Sequence, residues 1–304
     1  MVTKNKAKGR NVHGILLLDK PAGITSNQAL QRIKFLYQAR KAGHTGSLDK
    51  QASGLLPVCL GGATKLSGYL LDSDKHYLAI CKLGVQTATG DAEGDAITVT
   101  AVPALTRADI ESVLSGFVGG IFQVPPMYSA LKHKGRRLYQ LARQGIEIER
   151  QPRKIRILTL DLLNVTHDEI EIRVSCSKGT YIRTLAEDIG KRLGCGAHVK
   201  QLRRTGVGPF MHPKMYTIDD IELLSEKGLA ALDQCLTAMD IILDDLPEIR
   251  LTESLAFYIR QGQPVMIPHA PTAGLVRIYD DQQLFIGVGE VLEDGRIGPK
   301  RLIR

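Results

Sequence analysis

The residues with the most chemistry to offer stand in one short run, Gly43-His44-Thr45-Gly46-Ser47-Leu48-Asp49. It continues through Lys50-Gln51 into Ala52-Ser53-Gly54-Leu55-Leu56-Pro57. Two glycines bracket a histidine and a threonine, and a carboxylate follows shortly after. Glycine lets a short loop turn tightly and lets a ligand approach the main chain. Asp49 at the end of such a loop, held by regular elements on both sides, is placed as catalytic side chains often are. A carboxylate there can act as a base or as a nucleophile. The same residue types also make an ordinary turn with an aspartate capping a helix, and composition alone leaves both open.

A second run, Lys178-Gly179-Thr180-Tyr181-Ile182-Arg183-Thr184-Leu185, sets a tyrosine and an arginine at the mouth of a helix. Taken alone, Arg183 reads as an ordinary surface ion-pair residue. Lys132, His133, Lys134, Arg136, Arg137 and Arg143 crowd around Tyr139. Such basic residues around an aromatic suit a single-stranded RNA contact, or equally a solvated helix face. Cys195 and His198 lie close together without a second pair, and a structural zinc needs about four ligands, so the sequence offers no metal site. Residues 87–95, T-A-T-G-D-A-E-G-D, form an acidic, glycine-bearing loop without the ligand register of an EF-hand, and no ligand is assigned to it.

These residues need elements to hold them. Residues 14–18 (G-I-L-L-L) read as a buried strand. Thr25 with Gln28 forms a capping box, and Leu30, Ile33, Leu36 and Tyr37 then repeat at helical spacing, so the Gly43 loop follows a helix. Residues 55–60 are a strand and 63–71 a helix. Residues 75–81, which carry Tyr77, are a strand. Thr106 with Asp109 opens another helix, through about Phe117. Pro125-Pro126 excludes helix near residue 125. Residues 153–165 and 169–176 pair as strands around His167-Asp168, Gly194 closes the helix that follows Tyr181, and residues 198–205 are a strand with a basic end. Helical patterns fill 218–238. After about Leu246 the pattern changes to short strands at 265–267, 275–278 and 284–288, with a turn at 293–296, as in a small barrel-like module.

The 304 residues suffice for one large domain or two unequal ones, and 43% hydrophobic content supports a packed core. A formal charge of +8 favours an anionic partner such as nucleic acid. Met1 to Arg10 read as a mobile basic tail, a candidate RNA contact. No run approaches the ~20 apolar residues of a membrane span. Five scattered cysteines without a C-x-x-C pair suit a reducing cytosol.

G-H-T-G-S-L-D with A-S-G-L-L-P resembles the catalytic motif of the TruB family of tRNA pseudouridine synthases, and K-G-T-Y-I-R-T-L matches its second motif. A Lys-Pro pair near the start, here Lys20-Pro21, is typical of pseudouridine synthases, with a mainly structural role. The family often has Pro-Leu after its aspartate, where this chain has Lys50-Gln51. The resemblance implies an enzyme that isomerises the T-loop uridine (position 55) of tRNA to pseudouridine by base flipping. It implies Asp49 as the catalytic carboxylate and His44 as the residue that enters the T-loop and helps extrude the base. Tyr77 would stack on the flipped base, Tyr181 would be a second active-site tyrosine, Arg183 would pair with Asp49, and Leu202 would line the uracil pocket. An arginine beside a carboxylate lowers its pKa and fixes its direction. No cofactor or metal is implied.

The implied fold class is α+β. A pseudouridine synthase catalytic domain (residues 13–246), with a mixed, largely antiparallel sheet flanked by helices and loops, follows a basic tail (1–12). An RNA-gripping thumb is inserted at about 123–152, and a small C-terminal β-rich, PUA-like RNA-binding domain (247–304) ends the chain. The implied partner is the T-stem-loop of tRNA, bound by a cytoplasmic monomer without membrane contact and without an obligatory protein or guide RNA.

Overall fold

The computed structural model describes residues 9–303; residues 1–8 of the expected basic tail lie outside the described residues. The described end of that stretch is tied to the fold. Arg10 forks onto Asp233 at 2.8 and 2.5 Å and donates Nε to the Tyr37 carbonyl at 2.8 Å, and Val12 is buried.

Strand β1 (Gly14–Lys20) leads into helix α1 (Ser26–Leu36), whose start is set by the Thr25–Gln28 capping box. A short β2 (Ala42–His44) carries the chain into the catalytic-type loop, and β3 (Ser53–Leu60) leaves it. After a 3-10 turn comes α2 (Ser67–Asp72), then β4 (Lys75–Leu83) and a small hairpin, β5 (Val85–Thr87) with β6 (Ala96–Val99). Helix α3 (Arg107–Ser115) and edge strand β7 (Gly119–Gln123) precede the basic segment.

The basic segment is helical only at α4 (Leu138–Ala142). Before it, β8 (Lys132–His133) and β9 (Arg136–Arg137) form a tight two-stranded turn through Lys134 and Gly135, at φ 47° and 83°. The long hairpin of β10 (Arg153–Val165) and β11 (Glu169–Cys176) follows, then α5 (Ile182–Arg192), β12 (Ala197–Val207) and β13 (Phe210–Met211). The helical patterns read across 218–238 are two helices, α6 (Ile218–Glu226) and α7 (Leu229–Asp233), parted at Gly228, φ 98°.

The main sheet has nine strands, in the order β1-β3-β12-β4-β11-β10-β7, with β2 on β3 and β13 on β12. Every neighbouring pair is antiparallel except β12 and β3. These run parallel and pair only at Arg203–Ser53 and Arg204–Gly54. This is the mixed, largely antiparallel α+β sheet that the sequence led us to expect, and its single parallel seam divides it into two half-sheets. On one half, Leu16, Leu18, Leu56 and Val58 pack under α1 through Ala29 and Ile33. On the other, Ala79, Cys81, Ile172 and Val174 pack against α3 and α5 through Ile110, Leu114, Leu185 and Ile189.

The C-terminal module is a four-stranded sheet of β14 (Glu248–Arg250), β15 (Leu275–Tyr279), β16 (Phe285–Val291) and β17 (Ile297–Leu302), crossed by α8 (Glu253–Arg260). It has its own core of Ile249, Ala256, Ile259, Val276 and Ile297. Val288 also packs with Ile15, Leu17 and Leu55 of the main domain, and Arg277 pairs with Asp244 at 2.7 Å. Residues 265–267 do not form the strand read from sequence. Pro264 and Pro268 flank them, proline has no N–H to donate to a ladder, and a single bridge from Val265 to Ile297 remains.

Candidate active site

Asp49 hangs in the loop between β2 and β3, and this loop is held from several sides. The Thr45 N–H donates to the Pro57 carbonyl at 3.2 Å. Buried Ser26, at the start of α1, serves both backbone groups of Leu48: its hydroxyl accepts from Leu48 N at 2.8 Å and donates to Leu48 O at 3.1 Å. Lys20 is buried and donates Nζ to the carbonyls of Pro21 and Ile24 at 2.8 Å and of Lys50 at 3.3 Å. It thereby ties the turn before α1 to the residue after Asp49, and burial lowers its pKa to about 8. Asp49 caps no helix of the described residues.

Arg183 reaches Asp49 from the first turn of α5. The start of that helix has no side-chain cap from Tyr181. Buried Gln123 instead accepts from Tyr181 N at 2.8 Å and donates to Tyr181 O at 3.0 Å. Arg183 then forks onto the carboxylate, Nε to Oδ2 at 2.9 Å and Nη2 to Oδ1 at 3.2 Å. Its other donors meet the carbonyls of Thr89 at 2.8 Å and Tyr128 at 2.7 Å, and Asp91 stands 3.7 Å away. The fork was expected from sequence; Asp91 and the two carbonyls were not. The segment after Pro125-Pro126 supplies the Tyr128 carbonyl, and the acidic loop supplies Asp91 and the Thr89 carbonyl. At Gly90, φ 72°, a Cβ would sit 2.5 Å from Glu187 Oε1 and 3.2 Å from Arg183 Cβ, so only glycine brings this loop against α5.

The electrostatics differ from the simple expectation that Arg183 lowers the Asp49 pKa. Burial is the largest influence and raises it, Arg183 opposes this, and Asp91 and Glu93 raise it further; the net direction is upward. The Asp49 side chain is still 46% exposed on its open side. Water there makes the upward push smaller in the free protein than it becomes once a ligand closes over the carboxylate. A carboxylate so placed is held in direction by a fork and is more basic than usual.

Asp49, Arg183 and Leu202 line one small cavity together with Asp91, Val199 and Lys200. Through the shared residues Gln51, Ala92, Lys200 and Leu202 it adjoins a cleft of about 510 Å³ that Leu78, Ile80 and Arg203 extend. Tyr77 and Tyr181 do not line that cavity. Tyr77 is buried on β4, opposite Arg204 of β12, and Tyr181 is half-buried at the start of α5. Burial raises the pKa of both phenols, and the Asp49 charge adds to it. His44 ends β2, half-buried, with Nδ1 buried and unpartnered among the described residues. Burial and then Arg204 lower its pKa, which favours the neutral imidazole.

Gln123, Ser26 and Asp91 escaped sequence reasoning. The only trace was the glycine-bearing acidic loop, which composition cannot orient. The described residues hold no cluster of three or more His, Cys, Asp or Glu suited to a metal ion. His198 Nδ1 instead meets the Val85 carbonyl at 2.8 Å. No helix of the described residues is long and apolar enough to cross a membrane.

Residues 34–182 match the TruB family pseudouridylate synthase N-terminal domain, 183–244 the tRNA pseudouridylate synthase B C-terminal domain, and 247–303 the pseudouridine synthase II TruB C-terminal domain. The tRNA pseudouridine synthase B of Nitrosococcus oceani is 55% identical over 303 residues, covering 100% of this chain and 98% of the relative. That of Stutzerimonas stutzeri is 54% identical over 296 residues, covering 97% of each. Among solved structures, a Cbf5-Nop10-Gar1 complex contains a chain with TM-score 0.73 and 27% identity, covering 96% of this chain and 85% of that one. An archaeal box H/ACA sRNP Nop10-Cbf5 complex gives TM-score 0.72 at 24% identity, a likeness of fold, over 97% of this chain and 87% of that one.

Proposed function

The chain belongs to the TruB family of pseudouridine synthases, and on that premise we propose that Asp49 is the carboxylate with which it isomerises the T-loop uridine of tRNA to pseudouridine. The observation that carries this reading is the Asp49–Arg183 fork lining a small cavity that adjoins an open cleft. It stands in a chain alike over its whole length to tRNA pseudouridine synthases.

The reaction breaks the bond between uracil N1 and ribose C1′. The base turns, C5 bonds to C1′, the C5 proton leaves and N1 gains one. Nothing is oxidised and no group is lost, so one carboxylate acting as nucleophile or base is sufficient. Attack on C1′, attack on C6 and abstraction of a ribose proton all require Asp49 ionised and aimed, which the Arg183 fork supplies. The base must leave its stack, at a cost of a few kcal/mol. Tyr77 stacks on the extruded base, Tyr181 flanks the Arg183 fork, and Leu202 forms an apolar wall of the pocket. His44, as a neutral imidazole, occupies the space in the T-loop that the base vacates.

Around this site, residues 13–246 form the catalytic domain. Residues 123–152 act as the thumb, their base joined to the site where Tyr128 accepts from Arg183. Residues 247–304 serve as a PUA-like RNA-binding domain. The chain works as a cytoplasmic monomer on the T-stem-loop of bare tRNA, without a guide RNA or partner protein. Its five free, buried cysteines suit a reducing compartment.

The test is tRNA transcript carrying tritium at uracil C5, which is released when C5 bonds to C1′. The purified chain releases label without additions. Asp49→Asn binds the RNA with near-native affinity and loses at least the roughly 10²–10⁴-fold that acid–base help is worth. Label released by Asp49→Asn at near-native rate places the catalytic carboxylate elsewhere.

A further inference from the structure

We propose that Arg204 is a positioning residue for this isomerisation: it staples the two half-sheets together and so sets the Asp49 loop against Tyr77 and Arg183. The inference rests on the reading of Asp49 given above. Asp49 belongs to the half-sheet of β1, β2 and β3. Tyr77, on β4, and Arg183, on the helix packed against β12, belong to the other. Among the described residues the backbone ladder between the halves is the two residue pairs of the β12–β3 seam, one of them at Arg204. Beside it Arg203 forks onto Asp19 of β1 at 3.0 and 2.7 Å, and Val207 and Phe210 share a core with Ile15, Leu17 and Leu55.

The backbones touch at the seam. A Cβ on Gly54, φ 97°, would lie 2.2 Å from the Arg204 carbonyl oxygen and 2.9 Å from its nitrogen. Across the seam the Arg204 side chain donates Nε to Leu55 O at 2.7 Å on β3 and Nη2 to Gly46 O at 3.0 Å in the catalytic loop. On its own side Arg204 stands opposite Tyr77, its cross-strand neighbour on β4.

Arg204 is 1% exposed, and no carboxylate pairs with its guanidinium among the described residues. A buried cation without a counter-charge is costly, and an apolar residue of similar length would fill the same space. Its charge is felt nearby: after burial it is the next influence lowering the pKa values of His44 and Lys75. What the apolar residue lacks is the pair of donors that reach β3 and the loop at once. Ser26 fixes the Asp49 end of the loop at Leu48, and Arg204 fixes its middle at Gly46.

The variants are Arg204→Lys and Arg204→Met, each first checked for folding by circular dichroism and melting temperature. Arg204 is out of reach of RNA, so tRNA dissociation constants should stay within about threefold of the unaltered chain while single-turnover conversion falls about 10²-fold, the effect of roughly an ångström of misplacement. Arg204→Lys, which keeps a charge and some donors, should lose less than Arg204→Met. The His44 ring, titrated by NMR, should become easier to protonate in Arg204→Met and stay near native in Arg204→Lys. A folded variant with conversion within about threefold of native overturns the proposal, as does a loss of rate that merely follows the unfolded fraction. If Arg204→Met does not fold, Arg204→Lys alone decides by the same criteria. Failure of the unaltered chain to convert tRNA would count against the reading of the site, a separate result.

Discussion

Replacing Arg183 by lysine keeps the positive charge and removes the fork. In the native site the guanidinium serves four acceptors: both Asp49 oxygens (2.9 and 3.2 Å) and the carbonyls of Thr89 (2.8 Å) and Tyr128 (2.7 Å). One ammonium has three donors in a different geometry, so at least one acceptor is abandoned. Arg183 is only 6% exposed. A carbonyl left without its donor behind it costs about 1–3 kcal/mol. Asp49 is 46% exposed, so water replaces much of what it loses, and that part costs nearer the ~0–1 kcal/mol of a wetted pair. The melting temperature should therefore fall by about 2–4 °C per kcal/mol lost, leaving a folded protein at 25 °C. The rate suffers more, because a carboxylate displaced by roughly an ångström loses about 10²-fold. Tritium release in single turnover, with enzyme in excess, measures that loss, and filter binding should show little change in affinity because Arg183 is shielded from RNA. Conversion by Arg183→Lys within about tenfold of native would refute the reasoning and mean that charge, without the fork, orients Asp49.

Conversion should fall as pH drops through the raised pKa of Asp49, because only the ionised carboxylate reacts. Glu93 is one of the charges that raise it, so Glu93→Gln should move the acid limb of the single-turnover pH profile to lower pH; a limb that stays or moves up counts against this electrostatic account. Arg136 and Arg137 are exposed on the turn before α4, and replacing both by Gln should weaken tRNA binding. If each meets a phosphate of single-stranded RNA, the log–log salt slope shrinks by about 0.7 per contact, and an unchanged slope removes the segment from the interface.

The sequence by itself determined the local pieces and the identity of the central pair. Capping boxes at Thr25 and Thr106, the strand patterns at 14–18 and 153–176, and the two motifs carrying Asp49 and Arg183 were all legible. The caps and strand patterns depend on neighbours a few residues apart, whereas the α+β class and the pairing of Arg183 with Asp49 came from the resemblance of the two motifs to the TruB family. The strand expected at 265–267 does not form, since periodicity does not register a flanking proline's missing donor. Tertiary structure alone decided the rest. Gln123 grips Tyr181 across 58 positions and Ser26 grips Leu48 across 22. Arg204 reaches Gly46 across 158. A glutamine, a serine and an arginine carry no local mark of such duty, because it arises only when a strand crossing brings distant backbone groups within 3 Å or so. The direction of the Asp49 pKa belongs to the same class: the arginine beside it was readable from a motif, but the burial that outweighs it exists only once the loops have closed around the carboxylate.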